Sequence, residues 1–231
     1  FFLENWISKK INLILKSLID LKNSKENKSN IRALSYQLYE NNGVVKRENI
    51  TDYLVKLDQQ DRKILRNIGV KFGRYHIYLY KLLKPEAVSL RLILWKNYHQ
   101  KYFDFQPPKF GLNFIESNKS LNKNFMLICG FEKFDNYYVR VDILERLFIQ
   151  IINSSKEKNK EIMLIPEMLN LLGCNKENFI NLINKMNYKS IKKEDKIYFK
   201  YIPIKNKKFK NDSKKIIKNN PFNVLKELSI K

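Results

Sequence analysis

The chain has 231 residues, with 45 Lys and Arg against 23 Asp and Glu, a formal net charge of +22. Its 44% apolar content is enough for a packed core, which excludes a disordered polyelectrolyte. A membrane span is excluded too: no run reaches the ~18 apolar residues a span needs, and Phe1 to Leu21 is interrupted by Glu4, Lys9, Lys10 and Lys16.

From the N-terminus, Leu3, Ile7, Ile11, Ile14, Leu18 and Leu21 recur every three or four residues and predict one helix to about Leu21. Phe1 stands where a start Met would, which reads as a piece of a longer chain. Ser29 or Asn30 is placed to cap a helix ending at Gly43; a short apolar pair comes next at Val44 and Val45, then a helix over 48–57. Asp58 caps another helix that stops before Gly69. VKFGRYHIYL reads as a hairpin in which Gly73 takes the positive φ of the turn. Helix, short strand, helix, helix, hairpin is the order of a winged helix.

Pro85 opens the next helix, whose Val88, Leu92 and Trp95 share a face directed at the preceding hairpin. Pro107, Pro108 and Gly111 mark an extended surface linker. Beyond it FMLICGFEKFDNYYVRV predicts a short helix and a hairpin turning at Asp135 and Asn136. The winged-helix order then returns: a helix over 142–153, a strand at EIMLI, helices from Pro166 and Lys176, and the hairpin YKSIKKEDKIYFKYI with a polar tip at Lys193, Glu194 and Asp195. The tail from Lys205 is lysine-rich and weakly patterned, a basic disordered arm closed by the apolar patch Phe222, Leu225 and Leu228. The fold class is therefore α+β, mainly α with small β-hairpins. Two winged-helix-like units in tandem (1–105 and 121–204) are joined by a linker at 106–120 and followed by a tail at 205–231.

Chemistry leaves few marks. A nucleotide motor needs a glycine-rich phosphate loop ending in Gly-Lys-Ser/Thr, and the six glycines include no such pattern, so this chain is not expected to hydrolyse ATP or to hold a cofactor. His76, His99, Cys129 and Cys174 lack zinc-ligand spacing. The two cysteines sit in apolar settings without a base beside them, as buried thiols of a reducing, cytoplasmic compartment. Glu48, Asp58 and Asp61 stand at helix starts, where acids cap N–H groups.

The positive charge points to phosphate backbones, although eight arginines against 37 lysines also fits lysine drift in an AT-rich genome. In RNIGVKFGRYHIYLYK the cations Arg66, Lys71, Arg74 and Lys81 alternate with rings, of which Tyr75 and His76 are candidate base contacts while Phe72 and Tyr78 face the core. In the second unit Phe179, Leu182, Ile183 and Met186 turn inward. They leave Lys176, Asn178, Asn181 and Lys185 for groove or phosphate contacts, with Lys189, Lys192, Lys193 and Lys196 crowning the wing.

The segment IGVKFGRYHIYLYKLLKPEAVSLRLILW resembles the C-terminal part of alphaproteobacterial helicases of the mitochondrial-degradosome RNA helicase type. YYVRVDILERL, PEMLNLLGCNKENF, INKMNY and the closing PFNVLKEL are similar to that region in order and character. The resemblance implies a superfamily 2 helicase whose RecA-like motor, upstream in cis, binds ATP and Mg²⁺. This piece would be an accessory surface gripping single strands without sequence preference, RNA favoured over DNA. Two other readings stay open: a winged-helix regulator of duplex DNA, and a docking module of an RNA-processing assembly. No membrane partner is expected.

Overall fold

The N-terminal periodicity folds as two helices, α1 (Phe2–Ile14) and α2 (Lys16–Lys22), parted at Leu15, where φ −97° and ψ 19° leave the helical well. The break lets Leu15, Leu18 and Leu21 turn into a core while α1 buries none of its residues. The computed structural model describes residues 2–23, 28–99, 106–117, 121–154, 161–193 and 196–203. The chain divides into Phe1–Tyr201 and Ile202–Lys231, and all the secondary structure among the described residues lies in the first. The expected tail at 205–231 and the wing tip at Glu194 and Asp195 lie outside the described residues.

After α2 a helix, a strand, one or two helices and a hairpin follow one another three times among the described residues, with two helices before the hairpin in the first and third sets and one in the second. The first set is α3 (Ser29–Glu40), β1 (Val44–Lys46), a 3-10 turn (Arg47–Ile50) leading into α4 (Thr51–Val55), α5 (Gln59–Ile68), β2 (Val70–Phe72) and β3 (His76–Leu79). The second is α6 (Pro85–His99), β4 (Phe114–Glu116), α7 (Lys123–Ile128), β5 (Phe131–Phe134) and β6 (Tyr137–Arg140). The third is α8 (Val141–Ser154), β7 (Ile162–Met163), α9 (Pro166–Leu172), α10 (Lys176–Lys185), β8 (Tyr188–Lys193) and β9 (Lys196–Tyr201). Each forms a three-stranded antiparallel sheet with its last strand in the middle: β1-β3-β2, β4-β6-β5 and β7-β9-β8.

The middle set was not separable from the sequence. Its first strand, β4, comes out of the expected linker, and Phe114 stacks on Tyr137 with ring centroids 5.4 Å apart. Its first helix, α6, does not lean mainly on the preceding hairpin. Val88 and Leu92 pack with Phe125, Met126, Phe131 and Tyr138, while Ala87 and Leu90 reach back to the first core.

Local signals explain most helix ends. Asp58 and Asp61 form a capping box at α5, and Gly69 closes that helix at φ 112°. Asn122 and Asn175 accept N–H bonds at the starts of α7 and α10. Neither Ser29 nor Asn30 caps α3: Lys28 occupies that position without a side-chain bond, and α2, α4 and α9 also start without one. Lys28 instead bonds Asp61 at 2.7 Å and Asp58 at 3.2 Å, and Asn30 donates to the Lys56 carbonyl. These bonds tie the start of α3 to α5 and to the end of α4.

The three sets stack in series, and later elements of the chain cover the outer faces of the first two sheets. Val44 and Tyr78, outward on the first sheet, pack against Val141 at the start of α8. Tyr137 and Val139 of the second sheet sit in the core built by α8, α9 and α10. Cross-strand partners lie on the same side of a sheet. On the third sheet Met163, Tyr198 and Ile191 are therefore outward together, opposite the side on which Ile162 and Phe199 are buried.

Candidate nucleic-acid interface

The first hairpin and its flanks supply half of the residues expected to touch nucleic acid, and the turn of that hairpin is consumed by a seam. Glu145 of α8, 8% exposed, accepts the backbone N–H groups of Arg74, Tyr75 (2.8 Å) and His76 (2.9 Å). Gly73 is needed for this approach. Its φ is not positive, contrary to the turn expectation; instead a Cβ there would collide with the Glu145 carboxylate.

His76 is 1% exposed and cannot reach a phosphate from this position. Its Nε2 lies 2.8 Å from Glu132 Oε2, and Lys46 pairs with the other Glu132 oxygen. Burial alone would raise the Glu132 carboxyl, but the His76 and Lys46 hydrogen bonds outweigh it and hold the group below its ordinary value. Tyr75 is also taken into the seam: its ring meets Phe148 edge-on at 5.4 Å and its hydroxyl bonds that of Tyr188. Burial pushes the Tyr75 hydroxyl well above the ordinary phenol range. Arg74, its backbone held by Glu145, keeps its side chain exposed and lays the guanidinium over Phe148 at 5.6 Å. Arg66, Lys71 and Lys81 are exposed, with Arg66 over the Phe72 ring at 5.5 Å. The helix before this hairpin, α5, presents Lys63, Arg66 and Asn67 to solvent.

A buried cation braces the same region. Arg91, 2% exposed, donates to the carbonyls of Asn42 and Leu82 at 2.7 Å and of Ile128 at 2.9 Å, tying α3, the turn before α6 and the end of α7 together. Burial pushes its pKa down to about 10. Cys129 beside it is buried, its thiol raised to about 12, and Cys174 is partly buried and raised to about 11, in both cases by desolvation. Neither is a primed nucleophile. Among the described residues no group of three or more His, Cys, Asp or Glu is gathered to hold a metal.

The third set reverses the arrangement. The outward face of α10 is tied down: Asn178 bonds Glu116 at 2.9 Å, Asn181 approaches the Tyr137 hydroxyl at 3.4 Å, and Lys185 pairs with Asp135 at 2.7 Å. Lys176, at the start of the helix, is exposed. The hairpin, by contrast, is open. Lys189, Lys192, Lys193 and Lys196 are all exposed, but they do not form one row. The register pairs Lys189 with Lys200 and Lys193 with Lys196, all on the side of Tyr198, whereas Lys192 pairs with Ile197 on the opposite side. Lys193 bonds Glu161 at 2.6 Å and lies over the Tyr198 ring at 5.7 Å.

Compared with known proteins, the chain matches no family model, no curated protein and no solved structure. The site therefore stands on its own geometry. Sequence reasoning missed Lys200 and Tyr198. The signal was present in the alternation Lys196, Tyr198, Lys200, which a hairpin turning at 194–195 places on one face.

Proposed function

We propose that this chain is the C-terminal accessory, nucleic-acid-binding region of an ATP-dependent helicase resembling the mitochondrial-degradosome type, and that it holds single strands without sequence preference. The motor that binds ATP and Mg²⁺ would lie upstream in the same protein. The carrying observation is the open basic face of the third sheet, where Lys189, Lys193, Lys196 and Lys200 surround Tyr198. Cations that neutralise phosphates beside a ring that can stack on an unpaired base are what sequence-tolerant single-strand binding requires.

We read each helix, strand, helix and hairpin set, with its last strand central, as a winged-helix unit, three in series rather than two. In a duplex-reading winged helix the helix before the wing enters the major groove. The tying of α10 to Glu116, Tyr137 and Asp135 argues against that use in the third unit. The docking reading has one observation in its favour: α1 buries no residue and exposes Phe2, Leu3, Trp6 and Leu13. Such a face suits a neighbouring protein domain, the upstream motor being the simplest occupant. No helix among the described residues is long and apolar enough to cross a membrane.

The test is fluorescence anisotropy of the 231-residue chain with single-stranded RNA, single-stranded DNA and duplex DNA of unrelated sequences, from about 50 to 300 mM salt. Similar single-strand affinities with a steep salt slope support the reading. Preference for one duplex sequence favours a regulator, and absence of binding favours docking.

A further inference from the structure

The outer faces of the first and third sheets carry a tyrosine at the same place, in the middle of the central strand, and among the described residues only one of them is covered. Tyr78 sits between Val44 and Lys71, 7% exposed, roofed by Val141. Tyr198 sits between Met163 and Ile191, with Met163 39% exposed and Tyr198 and Ile191 partly exposed. This apolar strip is framed by two cross-strand lysine pairs, Lys189 with Lys200 and Lys193 with Lys196. Lys196 and Lys200 stand about 13 Å apart along their strand, with the ring between them.

Like charges directly opposite one another destabilise a sheet, so folding alone does not favour two such pairs. Lysines on an edge strand can serve to block edge pairing, but Lys196 and Lys200 belong to β9, the central strand, where there is no edge to block. Glu161 meets Lys193 and leaves the other three lysines of the frame without a carboxylate on this face among the described residues. The sequence after residue 204 has nine lysines and two acids, the same sign as the face, so charge complementarity selects a polyanion.

We infer that the outer face of the third sheet is a stacking platform for single-stranded nucleic acid, in which Tyr198 takes one base on its ring, flanked by Met163 and Ile191, while the Lys189–Lys200 and Lys193–Lys196 pairs hold the phosphates on either side. Bases stack on such a ring whatever their identity, and the lysines contact only the backbone, so binding is sequence-tolerant. The platform deepens the proposed function and rests on it, since it names where and how single strands are held. The outward face of α10 is secondary.

The experiment measures anisotropy of labelled oligouridylate, oligodeoxythymidylate and a mixed-sequence duplex against the full chain and three variants: Tyr198→Leu, Tyr198→Phe, and Lys196→Gln combined with Lys200→Gln. Tyr198→Leu should weaken single-strand binding about tenfold or more and spare duplex binding, while Tyr198→Phe binds like the parent chain. The double lysine variant should lower the slope of log affinity against log salt by about 1.4. The RNA and DNA arms show which strand the platform takes. If Tyr198→Leu loses its circular dichroism signal, the double lysine variant decides alone, because both its positions are exposed. A parent chain that binds neither strand overturns the proposed function and the platform together. A parent chain that binds single strands with variants that match it overturns the platform and leaves the function standing, as does an equal loss on duplex.

Discussion

The first and third hairpins have the same strand order and opposite fates. In the first, the turn at 73–76 is filled by Glu145 and the sheet face is roofed, while α5 before it faces solvent. In the third, α10 is pinned through Asn178, Asn181 and Lys185, while the sheet face stays open. One architecture thus provides both a structural joint and a candidate binding surface. The choice is made by whether another set comes next in the stack: an outer face with a successor becomes core, and among the described residues the last one has none.

The comparison is broken most forcefully at the joint. Glu145→Ala leaves three N–H groups of the first hairpin without their acceptor and should cost about 3 kcal/mol in urea unfolding; a loss below about 0.5 kcal/mol would mean that the carboxylate does not hold the seam. Gly73→Ala tests the same contact from the other side and should cost about 2 kcal/mol, because the added methyl must displace a buried carboxylate.

Acid sharpens the contrast next. Glu132 is held below its ordinary value of 4.5 in the folded chain. The unfolded state therefore binds the proton first as pH falls, and the stabilisation, complete above that value, is lost as pH drops through the lower folded one. The urea midpoint should decline below about pH 4.5, and Glu132→Gln should flatten part of that decline. An unchanged profile in the variant would remove Glu132 from the joint. Hydrogen exchange adds a finer distinction: amides of β3, central and buried, should exchange more slowly than those at the Lys193 and Lys196 end of the third hairpin. The smallest effect is reserved for Lys185→Gln, which removes one exposed ion pair with Asp135. Its thermal midpoint should be indistinguishable from that of the parent chain.

Nearly every helix and all three hairpins were legible in the sequence because their signals are local. Asp58, Gly69, Pro85, Pro166 and Asn175 act on neighbours within a turn, and Tyr188, Phe199 and the lysines alternate with the strand period. The strand expected at EIMLI is present as the two residues of β7. β4 was harder: it has three residues, too short to carry a period, and lay behind a proline pair that reads as linker. The break at Leu15 was hidden because the apolar spacing continues across it.

The sequence by itself determined the mixed α and β character, most of the helix ends, the net charge of +22 and the alternation that makes the last hairpin basic, all consequences of propensity, capping and composition. Only the tertiary structure decided which cations and rings face outward. His76 and Tyr75 went to the seam because Glu132, Glu145, Phe148 and Tyr188, each more than 50 residues away in the chain, supply their partners. Tyr198 and Lys200 became surface because, among the described residues, no later set roofs their sheet. Burial of one sheet by the next element is a long-range packing event, and no local pattern encodes it.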